Sequence, residues 1–364
     1  MQPRDLSDHS PYVPGRGAEE VARERGIDPD DLIKLSSNEN PHGPSPAAVE
    51  AVREHADRAN EYPKSAHTDL TETIADRCGV SAEQVWVSPG ADGSIDYLSR
   101  AALEPGDGVL VPEPGFAYYA MSARYHHGAV STYALDPADD FAQDAATVLS
   151  AYDGERLVHV TSPHNPSGST MSLAEVETVA EETDPETLVV VDEAYGEFSD
   201  VDSAVPLAAE RDDVAVLRTF SKAYGLAGLR IGYSVVPDDW GPAYARVNTP
   251  FAANELGCRA ALAALDDDDH VAETVETSRW ARGYLADELD APTVPSAGNF
   301  VLAAVGDAER VAEAALERGV IVRDCTSFGL PEHVRISTGT RAETREAVDR
   351  LNEALADLEL GARA

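Results

Sequence analysis

Short apolar runs alternate with amphipathic stretches along the chain from about Val85 onward. The runs are rich in β-branched residues and end at turn residues, which predicts strands, and the stretches between them predict helices. A run such as Leu188–Val191 is apolar throughout, as is typical of a sheet covered on both faces. The alternation therefore predicts an α/β domain with a mostly parallel sheet flanked by helices. The predicted strands are Val85–Val87, Gly108–Val111, Leu157–Thr161, Leu188–Asp192, Val214–Arg218 and Ile231–Val236, and the predicted helices between them are Gly93–Leu103, Phe116–Arg124 and Leu173–Glu182.

After about Phe251 the pattern changes to that of a smaller α+β domain. Its predicted helices are Glu255–Leu265, a continuation to about Leu289 beyond a solvated turn at Asp266–Asp269, Ala308–Arg318 and Glu343–Leu358, and its predicted strands are Asn299–Ala304, Val320–Arg323 and Val334–Ser337. The first forty residues are polar and rich in turn residues, with a short helix near Glu19–Arg25. We expect an N-terminal arm (1–45) that joins the small domain, a large domain (46–250) and a small C-terminal domain (251–364).

The chain is strongly acidic, with 28 Lys and Arg against 66 Asp and Glu and a formal net charge of −38. This charge excludes a protein that binds a nucleic-acid backbone through a basic surface. The acidic residues are interleaved with apolar runs, so they predict a folded enzyme with an acidic surface, as in halophiles, and not a disordered tail.

Targeting and redox signals favour the cytoplasm. Cys78, Cys258 and Cys325 are far apart and predict neither a metal site nor a disulfide. The first ten residues lack the apolar segment of a signal peptide, and no apolar run approaches the length of a membrane span.

Lysine is so rare here that each one is a candidate for chemistry: the chain has Lys34, Lys64 and Lys222. Lys222 follows a predicted strand in TFSKAYGLAGLR, with hydroxyls at Thr219 and Ser221 and a guanidinium at Arg230. This arrangement suits a phosphorylated aldehyde cofactor, because an amine condenses with the aldehyde while arginine and serine hold the phosphate. A loop lysine beside a surface arginine is the alternative.

Asp192 ends the apolar strand and would be buried. A buried carboxylate needs a cationic partner, which a protonated pyridine nitrogen would supply. Tyr195, three residues further on, could reach the same ligand. Alternatively, Asp192 caps a loop or helix at the edge of the sheet.

Three loops offer weaker signals for a planar, anionic ligand. The segment SPGADGS (88–94) lies between a predicted strand and a predicted helix whose free N–H groups could bind an anion, although a plain turn fits as well. In SPHNPSG, Asn165 offers a donor and an acceptor, and His164 is expected to be a bystander. Phe116 could stack on a ring or serve as a core aromatic.

Two arginines occupy otherwise apolar strands of the smaller domain. Arg323 lies in VRD and Arg335 in VRI. A guanidinium in such a place suits bidentate recognition of a carboxylate or phosphate, and a salt bridge to one of the many acids is the alternative.

Taken together and in this order, these motifs resemble the fold-type I pyridoxal-phosphate-dependent aminotransferases. The resemblance runs from SSNENP (36–41) and Tyr62-Pro63 through TFSKAYGLAGLRIGY to Arg335. Within this family, the motifs are most similar to those of the histidinol-phosphate aminotransferase branch. It implies amino transfer between histidinol phosphate and 2-oxoglutarate in a cytoplasmic homodimer. Alternatives are a threonine-phosphate decarboxylase of cobalamin synthesis, to whose pattern PGFAxY is similar, a broad aromatic or aliphatic aminotransferase, and a cofactor-binding protein without turnover.

The resemblance also implies roles for individual residues. The catalytic residues are the Schiff-base lysine Lys222, the pyridinium partner Asp192 and Tyr195. The remaining cofactor contacts are Asn165 at the ring hydroxyl, Phe116 at the ring face, Ala91, Asp92, Thr219, Ser221 and Arg230 at the phosphate side, and Tyr62 from the neighbouring subunit. The substrate contacts are Arg335 for a carboxylate, Arg323 for a phosphate, Asn165, and the lid residues Tyr12 and Asn38. Phe116 departs from the tyrosine common in the family, and Ser162-Pro163-His164 departs from the usual Asn-Pro-Asn.

Overall fold

The computed structural model describes residues 6–7, 9, 11–64 and 67–362. Most of residues 1–10, on which the signal-peptide prediction rests, therefore lie outside the described part of the chain. No helix in the described ranges is long and apolar enough to cross a membrane. The helices are α1 (Ala18–Arg25), α2 (Pro46–His55), α3 (Thr68–Cys78), α4 (Gly90–Ala102), α5 (Tyr118–Tyr125), α6 (Ala145–Ala151), α7 (Leu173–Glu182), α8 (Val205–Glu210), α9 (Tyr244–Val247), α10 (Glu255–Leu265), α11 (Asp268–Glu288), α12 (Ala308–Glu317) and α13 (Arg341–Ala362).

A seven-stranded sheet forms the centre of the larger part. After β1 (Ile33–Leu35), which belongs to a second sheet, its strands are β2 (Val85–Ser88), β3 (Gly108–Glu113), β4 (Ala129–Ala134), β5 (Leu157–Thr161), β6 (Leu188–Asp192), β7 (Val214–Thr219) and β8 (Gly232–Val235). Their order is β2-β8-β7-β6-β5-β3-β4, and every pairing is parallel except the two that β8 makes. The sheet is mostly parallel, as predicted.

Helices cover both faces of this sheet, which explains why its central strands are apolar at every position. In β6, Val189 and Val191 pack into a core that includes residues of α3, α7 and α10. Leu188 and Val190 point the other way, into a core that includes residues of α4 and α5.

The second sheet joins the two ends of the chain. Its other strands are β9 (Thr293–Val294), β10 (Phe300–Ala304), β11 (Val320–Asp324) and β12 (His333–Ser337), in the order β1-β11-β12-β10-β9. Strand β1 pairs in parallel with β11, so the N-terminal segment lies in the C-terminal sheet. Residues of α11, α12 and α13 pack on one face, leaving the other toward the large sheet. The domain boundaries at 45 and 250 stay a prediction.

Three of the local differences from the prediction have a clear physical reason. Strand β4 was missed because it is an edge strand in which only Tyr133 is fully buried, so it lacks an apolar run. Helix α4 begins at Gly90, earlier than predicted, because the small residues of its first turn give no periodic signal. The Asp266–Asp269 segment is not a solvated turn throughout. Asp267 caps α11 by accepting from the backbone N–H of His270, and the acids that follow lie in the first helical turn, where negative charge is favourable.

The fold brings the predicted motifs to one place. The parallel strands β5, β6 and β7 all end at the same edge of the large sheet, and Asn165, Asp192 and Lys222 follow those ends or lie at them. This is the edge where α/β proteins bind their ligands.

Candidate active site

A cavity of about 460 Å³ lies between this edge and the uncovered face of the small sheet. Its size is that of a site for a small molecule. It is lined by every site residue predicted from the sequence except Tyr62, namely Tyr12, Asn38, Ala91, Asp92, Phe116, Asn165, Asp192, Tyr195, Thr219, Ser221, Lys222, Arg230, Arg323 and Arg335.

Tyr62 is 83% exposed and packs on Phe251, with 4.8 Å between the ring centroids. Within one chain it therefore has no part in the cavity. His164 is buried between Ser167 and the carbonyl of Pro114 and does not line the cavity either.

Lys222 presents a half-buried amine with a single weak anchor among the described residues. Its Nζ donates to the carbonyl oxygen of Ser37 at 3.3 Å and lies 5.7 Å from the centre of the Tyr195 ring. Burial, and next the positive charge of Arg335, lower the pKa of the Lys222 amine to about 8. Near pH 8 about half of the amine is neutral, against roughly 0.3% for an ordinary lysine. The site thus supplies a nucleophile and base at moderate pH.

Asp192 is held at the end of β6 by two donors. The hydroxyl of Tyr119 donates to its Oδ2 at 2.6 Å, and the backbone N–H of Ala194 donates to its Oδ1 at 2.9 Å. Burial raises the pKa of the Asp192 carboxyl to about 6 in spite of these bonds. The described residues give it no ion-pair partner, so a cationic ligand group would stabilise its charged form.

Tyr195 and Asn38 form a polar wall beside Lys222. The Asn38 amide donates to the Tyr195 hydroxyl at 3.0 Å, and its oxygen accepts from Ser337 at 3.0 Å. Asn38 has φ of +53°, a conformation that asparagine tolerates better than most residues. These bonds fix the tyrosine oxygen within the cavity.

Arg230 and the start of α4 form a cradle for an anion. Arg230 donates to Asp92 at 2.9 Å and to the Ser221 hydroxyl at 3.3 Å. No described side chain caps the N-terminus of α4, so its first N–H groups are free to bind an anion. A Cβ added at Gly90, where φ is +78°, would lie 2.4 Å from the Arg230 guanidinium, so only glycine leaves this space.

Arg323 and Arg335 lie directly opposite each other on the antiparallel strands β11 and β12. Their neighbours Val322, Val334 and Ile336 face the small domain's core, so strand alternation turns both guanidinium groups toward the cavity. Like charges directly opposite each other are unfavourable, and a bound anion would offset their repulsion.

The protein contacts of these arginines leave donors free. Arg335 donates to the Asn165 amide oxygen and to the carbonyl of Ser36, while its buried Nε has no partner among the described residues. Arg323 donates to the carbonyls of Val13 and Pro14 in the N-terminal arm and to the Ser327 hydroxyl. The arm thereby places Tyr12 at the cavity, edge-on to Phe116 at 6.0 Å.

Sequence reasoning missed Tyr119. Its sequence neighbours Tyr118 and Phe116 are also aromatic, so nothing in the chain distinguishes it. Its partner Asp192 lies 73 positions away, and only the packing of α5 against the sheet brings the two together.

The arrangement fits the cofactor that the resemblance implies. One cavity holds a reactive amine, a carboxylate that has no cationic partner among the described residues, an aromatic ring and an anion cradle that a Cβ would fill. These are the groups that an aldehyde, a pyridine nitrogen, a planar ring and a phosphate require.

Comparison with known proteins places these features in a family. Residues 30–351 match the model of the family described as aminotransferase class I and II. A relative from Halorubrum lacusprofundi, named histidinol-phosphate aminotransferase, is 82% identical over 364 residues, the whole of both chains. A relative of the same name from Natronomonas pharaonis is 67% identical over 355 residues, covering 98% of this chain and all of the relative.

The fold is similar to that of a crystal structure of histidinol-phosphate aminotransferase from Sinorhizobium meliloti in complex with pyridoxal-5'-phosphate. The TM-score is 0.86 at 29% sequence identity, and the match covers 98% of each chain.

Proposed function

The chain belongs to the class I and II aminotransferases, and we propose that it transfers the amino group of histidinol phosphate to 2-oxoglutarate in histidine biosynthesis. The products are imidazole acetol phosphate and glutamate. The observation that carries this proposal is the pair Arg323 and Arg335 at one end of the cavity. One substrate bears a phosphate and the other bears two carboxylates, and paired guanidinium groups suit both.

Pyridoxal phosphate is the cofactor, and when bound it supplies an aldehyde for the substrate amine and a ring that withdraws electrons from the neighbouring carbon. We propose that Lys222 holds its aldehyde end and Asp192 its ring nitrogen. Tyr195 and Asn165 would contact the ring hydroxyl and Phe116 the ring face. The phosphate would be held from Ala91, Asp92, Thr219, Ser221 and Arg230.

Lys222 is also the proposed base of the reaction. Its Nζ takes the proton from the carbon that bears the substrate amine and later returns a proton. Burial of the amine and the positive charge of Arg335 keep it neutral often enough to do so, as its lowered pKa of about 8 indicates.

The two arginines divide the recognition of substrate. Arg335, beside Asn165, would bind the carboxylate next to the reacting carbon of glutamate or 2-oxoglutarate. Arg323 would bind the phosphate of histidinol phosphate, with Tyr12 and Asn38 closing the site from the arm side.

Glutamate formation from 2-oxoglutarate tests this function, with histidinol phosphate, threonine phosphate and phenylalanine as donors. We expect histidinol phosphate to give by far the highest kcat/KM. Carbon dioxide release from threonine phosphate would instead favour the decarboxylase, and equal use of phenylalanine would favour a broad aromatic aminotransferase. The relatives named above favour neither alternative.

A homodimer completes the proposed site. Tyr62 lies exposed on Phe251, outside its own cavity, and we propose that it reaches the cofactor phosphate of the neighbouring subunit. Mixing Tyr62→Ala with Lys222→Ala subunits tests this, because a mixed dimer then contains one site with both residues. Random mixing should restore about a quarter of the wild-type activity at limiting cofactor. No recovery on mixing would contradict the shared site.

The proposed place of action is the cytoplasm. The three cysteines are free, as suits a reducing compartment. Activity in the membrane or secreted fraction of cells, and not in the cytoplasmic fraction, would contradict this.

A further inference from the structure

We propose that Tyr119 is a positioning residue that holds the Asp192 carboxylate toward the pyridine nitrogen of the cofactor. The inference rests on the proposed function and extends it to a residue that does not itself react. If it is correct, cofactor affinity depends on one hydroxyl that donates a hydrogen bond to the carboxylate.

A chain of hydrogen bonds points at the carboxylate. The Tyr119 hydroxyl lies 2.6 Å from Asp192 Oδ2 and 2.9 Å from the Thr161 hydroxyl. An ionised carboxylate can only accept, so Tyr119 donates its hydrogen to Asp192 and Thr161 donates to Tyr119. Such a chain is cooperative, which strengthens the bond at the carboxylate.

Packing fixes the hydroxyl in this place. The Tyr119 ring stacks on His159 with 4.6 Å between the centroids and an angle of 18°, and it meets Phe116 edge-on at 5.5 Å. The side chain is 1% exposed. Rotation that would break the bond is therefore blocked on two sides.

The carboxylate has few other sources of stabilisation. Among the described residues Tyr119 is the only side chain that donates to Asp192, the remaining bond coming from the Ala194 backbone. The nearby charges of Asp92 and Glu193 oppose ionisation of Asp192. His159, the other titratable group beside the ring, is neutral because burial lowers its pKa to about 3. Loss of the Tyr119 hydroxyl therefore removes a major support of the charge that the pyridine nitrogen needs.

Titration of the apoenzyme with pyridoxal phosphate tests the proposal, with Tyr119→Phe and the matched control Tyr133→Phe. Tyr133 is also 1% exposed, and its hydroxyl bonds to the backbone carbonyl of His159 at 3.0 Å, not to Asp192. We expect the Kd for pyridoxal phosphate to rise roughly 10- to 150-fold in Tyr119→Phe, the size of one lost hydrogen bond to a charged group, and to change less than twofold in Tyr133→Phe. Equal Kd values for Tyr119→Phe and the wild type, or equal changes in both variants, would overturn the proposal.

A double-mutant cycle separates positioning from packing. In an Asp192→Asn background the further change Tyr119→Phe should leave the Kd unchanged, because the carboxylate it supports is gone. A full additional loss in that background would show that Tyr119 acts independently of Asp192 and would refute the proposal. Failure of the wild-type protein to bind pyridoxal phosphate would instead refute the proposed function itself.

Discussion

Replacing Arg323 with alanine should remove the preference for a phosphorylated amine. A guanidinium has five N–H donors, and three hydrogen bonds tie Arg323 to Val13, Pro14 and Ser327. Within the described part of the chain, this leaves two donors for a substrate phosphate. A hydrogen bond to a charged group contributes about 1.5–3 kcal/mol, and two on one ligand are not fully additive. We therefore expect Arg323→Ala to lose about 2–4 kcal/mol of binding free energy for the phosphorylated substrate, which lowers its kcat/KM roughly 30- to 900-fold.

The assay compares histidinol phosphate with histidinol in the wild type and in Arg323→Ala. Release of the N-terminal arm from Arg323 should lower kcat/KM equally for both substrates, so the ratio of the two kcat/KM values isolates the phosphate contact. Ser327→Ala is the matched control, because it removes one partner of Arg323 and leaves the guanidinium in place. A ratio in Arg323→Ala within about threefold of the wild type, well below the expected loss, would refute the role in phosphate binding.

Three further predictions concern the amine, the carboxylate and the surface. Lys222→Ala should abolish transamination while the protein stays folded by circular dichroism, and near-normal turnover would remove Lys222 from its role. Asp192→Asn should weaken cofactor binding. It should also stabilise the apoenzyme against urea above pH 6 by about 2–3 kcal/mol, because the pKa of the Asp192 carboxyl is about 6 in the folded state and lower in the unfolded state, so its ionised form destabilises the fold. The wild-type apoenzyme should accordingly lose this stability as the pH rises from about 4 to 6, and a variant no more stable than the wild type at pH 7 would contradict the reasoning. With a net charge of −38, activity and melting temperature should rise with KCl, and full activity in dilute buffer would contradict a halophilic surface.

The central strands of the fold were predictable because burial on both faces of the sheet requires an apolar residue at nearly every position. Leu188–Asp192 and Leu157–Thr161 have the predicted bounds, since both faces of those strands need apolar residues. Strand β4 escaped prediction because an edge strand has only one strand partner and few buried positions.

The candidate site was predictable where its chemistry requires a particular residue type. It was not predictable where a role depends on contacts that only the folded chain makes. Lys222 stood out because lysine is rare in this chain. Arg323 and Arg335 lie opposite each other because of the register between their strands, and register depends on how separate segments of the chain pair. Tyr119 acts through a contact made by tertiary packing alone. The role of Tyr62 concerns a second subunit and stays a prediction.

A single half-reaction tests the proposed function most directly. The protein is loaded with pyridoxal phosphate in concentrated KCl and mixed with histidinol phosphate in the absence of keto acid, while the absorbance of the cofactor is followed. We predict conversion of the aldehyde form to the amine form, faster than with threonine phosphate or phenylalanine. No conversion with histidinol phosphate, together with carbon dioxide release from threonine phosphate, would contradict the assignment as an aminotransferase of histidinol phosphate.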